Sequence, residues 1–167
     1  VEINELFLTK KSKDELLRFA NSNEKNFQNI FEFSLLKNEE NSWRAAWIIG
    51  HAMKKNDSRI EPFIKTLIDS IPEKTDGHQR QLMIILEKMT ISEDLEGFLF
   101  DHCLSIWEDI NKIPSTRITA FKILIKIAKN HPELLSELEL WTSDYFTETL
   151  SAGIKHSLFN IKKELLK

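Results

Sequence analysis

Asp101, His102 and Cys103 follow one another directly, and a carboxylate, an imidazole and a thiol can activate a nucleophile or hold a metal. Helical geometry argues against both uses, because consecutive helical residues project roughly 100° apart and do not converge on one ion. Cys103 also falls on an apolar stripe with Leu99, Ile106 and Trp107, so a buried, inert thiol is expected. The histidines His51, His78, His102, His131 and His156 contain no His-Glu-x-x-His pair, and a lone cysteine offers no zinc spacing. Neither a glycine-rich phosphate loop nor a Gly-x-Ser-x-Gly elbow occurs, and the 4 glycines are scattered. The carboxylate pairs Glu39-Glu40 and Glu108-Asp109 fall at expected turns and helix ends, without the contrasting environments that acid–base work requires. No catalytic, metal or cofactor-binding residue is therefore expected, and the sequence predicts binding without chemistry.

Arg44, Arg80 and Arg117 carry the more informative spacing. Each opens an apolar stretch, as in Ser42-Trp43-Arg44-Ala45-Ala46-Trp47, Gln79-Arg80-Gln81-Leu82-Met83 and Thr116-Arg117-Ile118-Thr119-Ala120-Phe121. Their separations, 36 and 37 residues, lie in the range of stacked helical repeats. A cation in the first turn opposes the helix dipole at a cost of up to about 1 kcal/mol, so something must offset it three times. Either the arginines form a ladder to polar turn residues of the same or the next repeat, or they stand exposed and grip a ligand. Trp43 and Trp47, one turn apart beside Arg44, leave a similar choice between core packing and an exposed anchor.

The elements that would position these residues are helices. A chain of 167 residues with 29% charged and 41% hydrophobic residues suits one folded domain, residues 1–167. Few Gly and Pro residues make tight β-turns scarce. Ser12 with Glu15 forms a capping box, Asn23 can cap the next helix, and Pro62, Pro114 and Pro132 suit first turns. About nine helices result. They pair into hairpins at 24–55, 61–90, 93–130 and 132–166 after a short N-terminal helix. The second helices are apolar nearly all round, as helices flanked on more than one side must be. A single cysteine and the lack of a basic-then-apolar leader favour a cytoplasmic location, and no apolar run is long enough for a membrane. The chain begins at Val1 rather than Met, which suggests missing residues.

The stretch Asn38 to Ala46 resembles a HEAT-repeat hairpin: a polar turn residue, an Arg six positions on, then Ala-Ala and aliphatics. Asn111 and Arg117 repeat that spacing, Lys74 replaces the polar turn residue before Arg80, and the last unit keeps only Ile154-Lys155. The segments Ser115–Ile123, His131–Leu135 and Ser151–Ile154 are similar to small bacterial HEAT/armadillo-like proteins of unassigned role. Some of these carry the name adenylosuccinate lyase, whose signature Ser-Ser-x-Met-Pro-x-Lys-x-Asn does not occur here. The resemblance implies an all-α, right-handed α-α superhelix (solenoid) of about four HEAT-like hairpins. It also implies that the Arg-bearing second helices line the concave side.

Charge divides along the same lines. Residues 115–130 carry Arg117, Lys122, Lys126 and Lys129 and no acid, while 92–110 carry Glu93, Asp94, Glu96, Asp101, Glu108 and Asp109 and no Lys or Arg. The other hairpins lean the same way. With the resemblance, this gives a basic inner face and an acidic outer one, unless the two sets only neutralise each other within hairpins. The expected function is a scaffold that presents Arg44, Arg80, Arg117, Lys122 and Lys126, with Trp43 as anchor, to an acidic or mixed-charge protein partner. The alternative is nucleic-acid binding in the manner of the HEAT-like DNA alkylation-repair glycosylases. The net charge of −3 and the modest basic set weigh against it.

Overall fold

The computed structural model describes residues 3–9, 11–37 and 39–165, apart from the side chain of Leu165. Asn38, read above as a polar turn residue, and residue 166, the end of the last expected hairpin, lie outside the described residues. Those described form helices, turns and loops, with no strand among them. The chain divides into two compact units, Val1–Ile91 and Ser92–Lys167.

The first unit contains α1 (Ile3–Leu8), α2 (Lys13–Asn21), α3 (Glu24–Leu35), α4 (Ser42–Ala52), α5 (Ile64–Ser70) and α6 (Asp76–Glu87). Helix α2 opens on the expected capping box, with Ser12 Oγ accepting from Glu15 N–H and Glu15 accepting from Ser12 N–H. Asn23 caps α3 in the same way by accepting from Asn26 N–H at 2.8 Å. Helix α4 packs against α2, α3 and α6, which is why it can be apolar on several sides. Ala45, Ala46, Ile48 and Ile49 are all fully buried, as are Phe27, Ile30 and Phe31 of α3 and Leu82, Met83 and Ile85 of α6. Burying one such Ile or Phe contributes about 1.5–3 kcal/mol. Pro62 and Pro72 stand in short 3-10 turns, Glu61–Phe63 and Ile71–Glu73, at the two ends of α5.

Helix α1 was not anticipated. Six residues are too few for a periodic pattern to declare itself, yet Leu6 and Phe7 are buried and Phe7 stacks on Phe33 at 5.6 Å.

The second unit contains α7 (Glu93–Glu108), α8 (Pro114–Ala128), α9 (Pro132–Leu135), α10 (Leu138–Trp141), α11 (Asp144–Thr147) and α12 (Ala152–Leu165). Helices α7 and α8 form its main hairpin, and α12 packs on α8. Trp107 is fully buried, 4.6 Å from Phe121 between ring centroids, and its indole N–H donates to Trp141 O at 2.9 Å. Where the first helix of the 132–166 hairpin was expected, three single turns occur. Hydroxyls of Ser136, Thr142 and Thr147 bond backwards to the carbonyls of Glu133, Leu138 and Ser143, and Ser143 itself is extended. Such side chains offer the backbone local alternatives to a continuous helix.

Candidate functional site

A helix ends with carbonyls that have no intrahelical donor, and that end carries partial negative charge. In this protein, cationic side chains from other helices repeatedly supply the donors. Arg44, in the first turn of α4, reaches back to α1 and donates to Phe7 O at 3.2 Å and Lys11 O at 2.9 Å. Arg117, in the first turn of α8, donates from Nε to Trp107 O at 3.0 Å near the end of α7. Its two terminal nitrogens donate to Phe146 O at 2.6 Å and Thr149 Oγ1 at 3.3 Å. Its guanidinium also lies 4.8 Å from the Trp107 ring, and the whole side chain is 0% exposed. The ladder therefore runs mostly to backbone carbonyls, with one bond, to Thr149 Oγ1, reaching a polar turn residue. The expectation that Arg117 touches a partner is corrected by its burial.

The end of α3 is served differently. Lys74 Nζ donates to Leu35 O and Leu36 O, at 2.6 and 3.0 Å. His78 Nε2 bonds Ser34 O at 2.8 Å, which leaves Nδ1 as the acceptor facing Ser42 Oγ at 3.5 Å. Burial lowers the pKa of His78 below the ordinary histidine value, which fits a neutral ring. Lys88 closes the end of α4 by bonding Gly50 O.

Arg80, third of the spaced arginines, has no such assignment. It is half-buried on α6, and its Nε is buried without a hydrogen-bond partner among the described residues. It lines a cavity of about 290 Å³ beside α4, together with Trp47, His51, Gln81, Ile84 and Lys88. Lys13 Nζ stands 5.4 Å from the Trp47 ring, and the His51 ring meets Trp47 edge-on at 5.1 Å. Partial burial, Lys13 and Lys88 together lower the pKa of His51.

Trp43 is 47% exposed, so it is not core, whereas Trp47 is half-buried. Trp43 borders a second cavity of about 300 Å³, whose wall includes Glu39, Glu40, Glu73, Lys74 and His78. On α8, Lys122, Lys126 and Lys129 are all exposed. Among the described residues, no three His, Cys, Asp or Glu side chains gather as a metal site, and no helix is long and apolar enough to cross a membrane.

Residues 5–165 match the family model of a HEAT repeat domain. The chain belongs to the HEAT repeat family. No match is found among curated proteins or among solved structures. HEAT repeats are helical hairpins that stack, and in that frame α3–α4 and α7–α8 are hairpins whose second helix opens with the arginine. The arginine sits there because the turn brings the start of one helix beside the end of another.

One site in the first unit escaped the sequence reading. Asp57, after α4, accepts from Lys54 N–H, Arg59 N–H, Arg59 Nε–H and Arg59 Nη2–H, the last at 2.7 Å. The Arg59 guanidinium lies 3.5 Å from the Phe27 ring centroid. Its hydrogen bonds hold the Asp57 carboxyl well below the usual carboxylate range. Just before it, Asn56 takes a left-handed conformation (φ 50°) and accepts through Oδ1 from Thr90 N–H and Oγ–H. The dipeptide Asn-Asp is itself a turn signal that could have marked this loop.

Proposed function

We propose that this HEAT repeat domain is a binding module without catalytic chemistry of its own. Basic positions on its second helices meet an acidic or mixed-charge segment of a protein partner. The observation that carries the reading is the separation of charge in the α7–α8 hairpin. Lys122 and Lys129 are exposed on α8, with Lys126 on the same face, while Glu93, Asp94, Asp101, Glu108 and Asp109 are exposed along α7 and its end. The ion pairs seen among the described residues, such as Lys37–Glu73, Lys65–Asp69 and His131–Glu96, involve neither Lys122 nor Lys129. A surface organised only for neutralisation would pair such charges within the hairpin.

The test is fluorescence anisotropy with a labelled acidic peptide of about twenty residues, rich in Glu and Asp, at roughly 50 and 200 mM salt. Binding that weakens with salt and falls in Lys122→Glu/Lys129→Glu supports the module. Binding of a length-matched oligonucleotide in preference to the peptide, with a steep salt dependence, would replace it by the nucleic-acid reading.

A further inference from the structure

Arg44, Arg80 and Arg117 occupy equivalent places in sequence, and two of them are consumed by the fold. All three nitrogens of Arg117 and both terminal nitrogens of Arg44 donate to oxygen atoms. At the end of α3, where an arginine of α6 would have served, Lys74 and His78 already supply the donors. Arg80 is thereby released. Its Nε–H is buried with no acceptor among the described residues, a state that costs about 1–3 kcal/mol.

The surroundings of that donor are cationic and aromatic, with no carboxylate among the lining residues. Lys88 and Lys13 add positive charge from the end of α6 and from α2, while Trp47 and Ile84 give apolar walls. The cavity, about 290 Å³, has room for one side chain and its hydration. Trp47 is also a poor platform for a base, since Lys13 covers its face and the His51 ring abuts it. A guanidinium fork suits a planar carboxylate, and an apolar wall suits the methylene stem behind one.

We infer that this cavity is a carboxylate subsite. Arg80 receives the side-chain carboxylate of a Glu or Asp within an acidic segment of a protein partner, with Trp47 and Ile84 against its stem. The inference rests on the binding-module reading and gives it a specific contact in the first unit.

The probe is fluorescein-labelled octaglutamate, followed by anisotropy at about 50 mM salt, with the His51 ring resonances followed by NMR. Arg80→Gln removes the fork, and Gln81→Glu places a competing carboxylate on the cavity wall without touching Arg80. Thermal melts confirm that both variants are folded, and Gln81→Glu keeps the test alive if Arg80→Gln is not. The expected result is saturable binding that shifts the His51 resonances and weakens about tenfold or more in either variant. Arg80→Lys should retain part of the affinity, because it keeps the charge but not the fork. Binding indifferent to both variants overturns the subsite. If that same binding falls in Lys122→Glu/Lys129→Glu, the module reading stands without it. Absence of octaglutamate binding overturns both. Tighter, Arg80-dependent binding of an octathymidylate overturns the carboxylate assignment in favour of a phosphate.

Discussion

Replacing Arg117 by Met tests whether the buried guanidinium holds the second unit together. Met has a similar stem, so the cavity created is small and the loss falls on the polar contacts. Three hydrogen bonds disappear, to Trp107 O, Phe146 O and Thr149 Oγ1, together with the contact to the Trp107 ring. Thr149 is exposed and can turn to water, so its share is small. The carbonyl of Trp107 is not so placed, because the Arg117–Trp107 bond is buried. A hydrogen bond to a charged group contributes about 1.5–3 kcal/mol net, and a buried acceptor left bare costs about 1–3 kcal/mol. Against this stands the desolvation of the guanidinium, which lowers the pKa of Arg117 and is relieved in Met. The balance is a destabilisation of about 3 kcal/mol.

Urea unfolding in a Trp43→Phe/Trp47→Phe background isolates the effect, because the remaining tryptophans, Trp107 and Trp141, both lie in the second unit. The midpoint should fall at constant m, and Arg117→Lys should recover less than half of the loss. A change below about 1 kcal/mol, or a gain, would refute the reasoning. Desolvation would then outweigh the carbonyl bonds, as happens in some buried ion networks.

The other predictions follow from single contacts. Asp57→Asn should cost about 2 kcal/mol in urea unfolding, since it leaves the partly exposed Arg59 without its carboxylate. Because the Asp57 pKa is depressed on folding, its contribution is complete above the ordinary carboxyl value of 3.8 and is lost as pH falls below that, an acid limb that Asp57→Asn should flatten. In an NMR titration of ring protons, His78 should protonate below 6.5 and His131 above it. Burial disfavours the cation in the first, and the Glu96 hydrogen bond favours it in the second. The stability owed to a neutral His78 is then present above pH 6.5 and declines as pH falls through its folded value. That owed to charged His131 is present below 6.5 and is lost as pH rises through its folded value. Cys103 is fully buried with its pKa pushed up, so a disulfide reagent should label it only on the timescale of unfolding.

Helix positions were legible because they rest on local chemistry. The capping box of Ser12 and Glu15, the Asn23 cap and the proline starts are contacts within four residues, and they occur where the residue types place them. The roles of the arginines were not legible, because their acceptors are backbone carbonyls as many as 37 residues away, which no side-chain type announces. Residues 132–148 were misread because Glu, Leu and Trp there are acceptable in a helix. Ser143, extended between two of the short turns, is where the backbone leaves the helical path. Exposure of Trp43 was equally hidden, since its spacing from Trp47 fits a buried stripe as well as an exposed edge.

The same physics that hides the arginines sorts them. Stacked hairpins place helix ends beside helix starts, so each hairpin creates a demand for donors that a cation can meet at the carbonyl end. Once that demand is met, a further cation nearby contributes nothing to the ends. Lys74 and His78 meet it at α3, which turns Arg80 from a structural residue into a surplus one. A surplus, half-buried cation is expensive for folding and useful for capture. In this chain the charge available to a partner is therefore found by subtracting the cations that the helix ends have already taken, rather than by counting all of them.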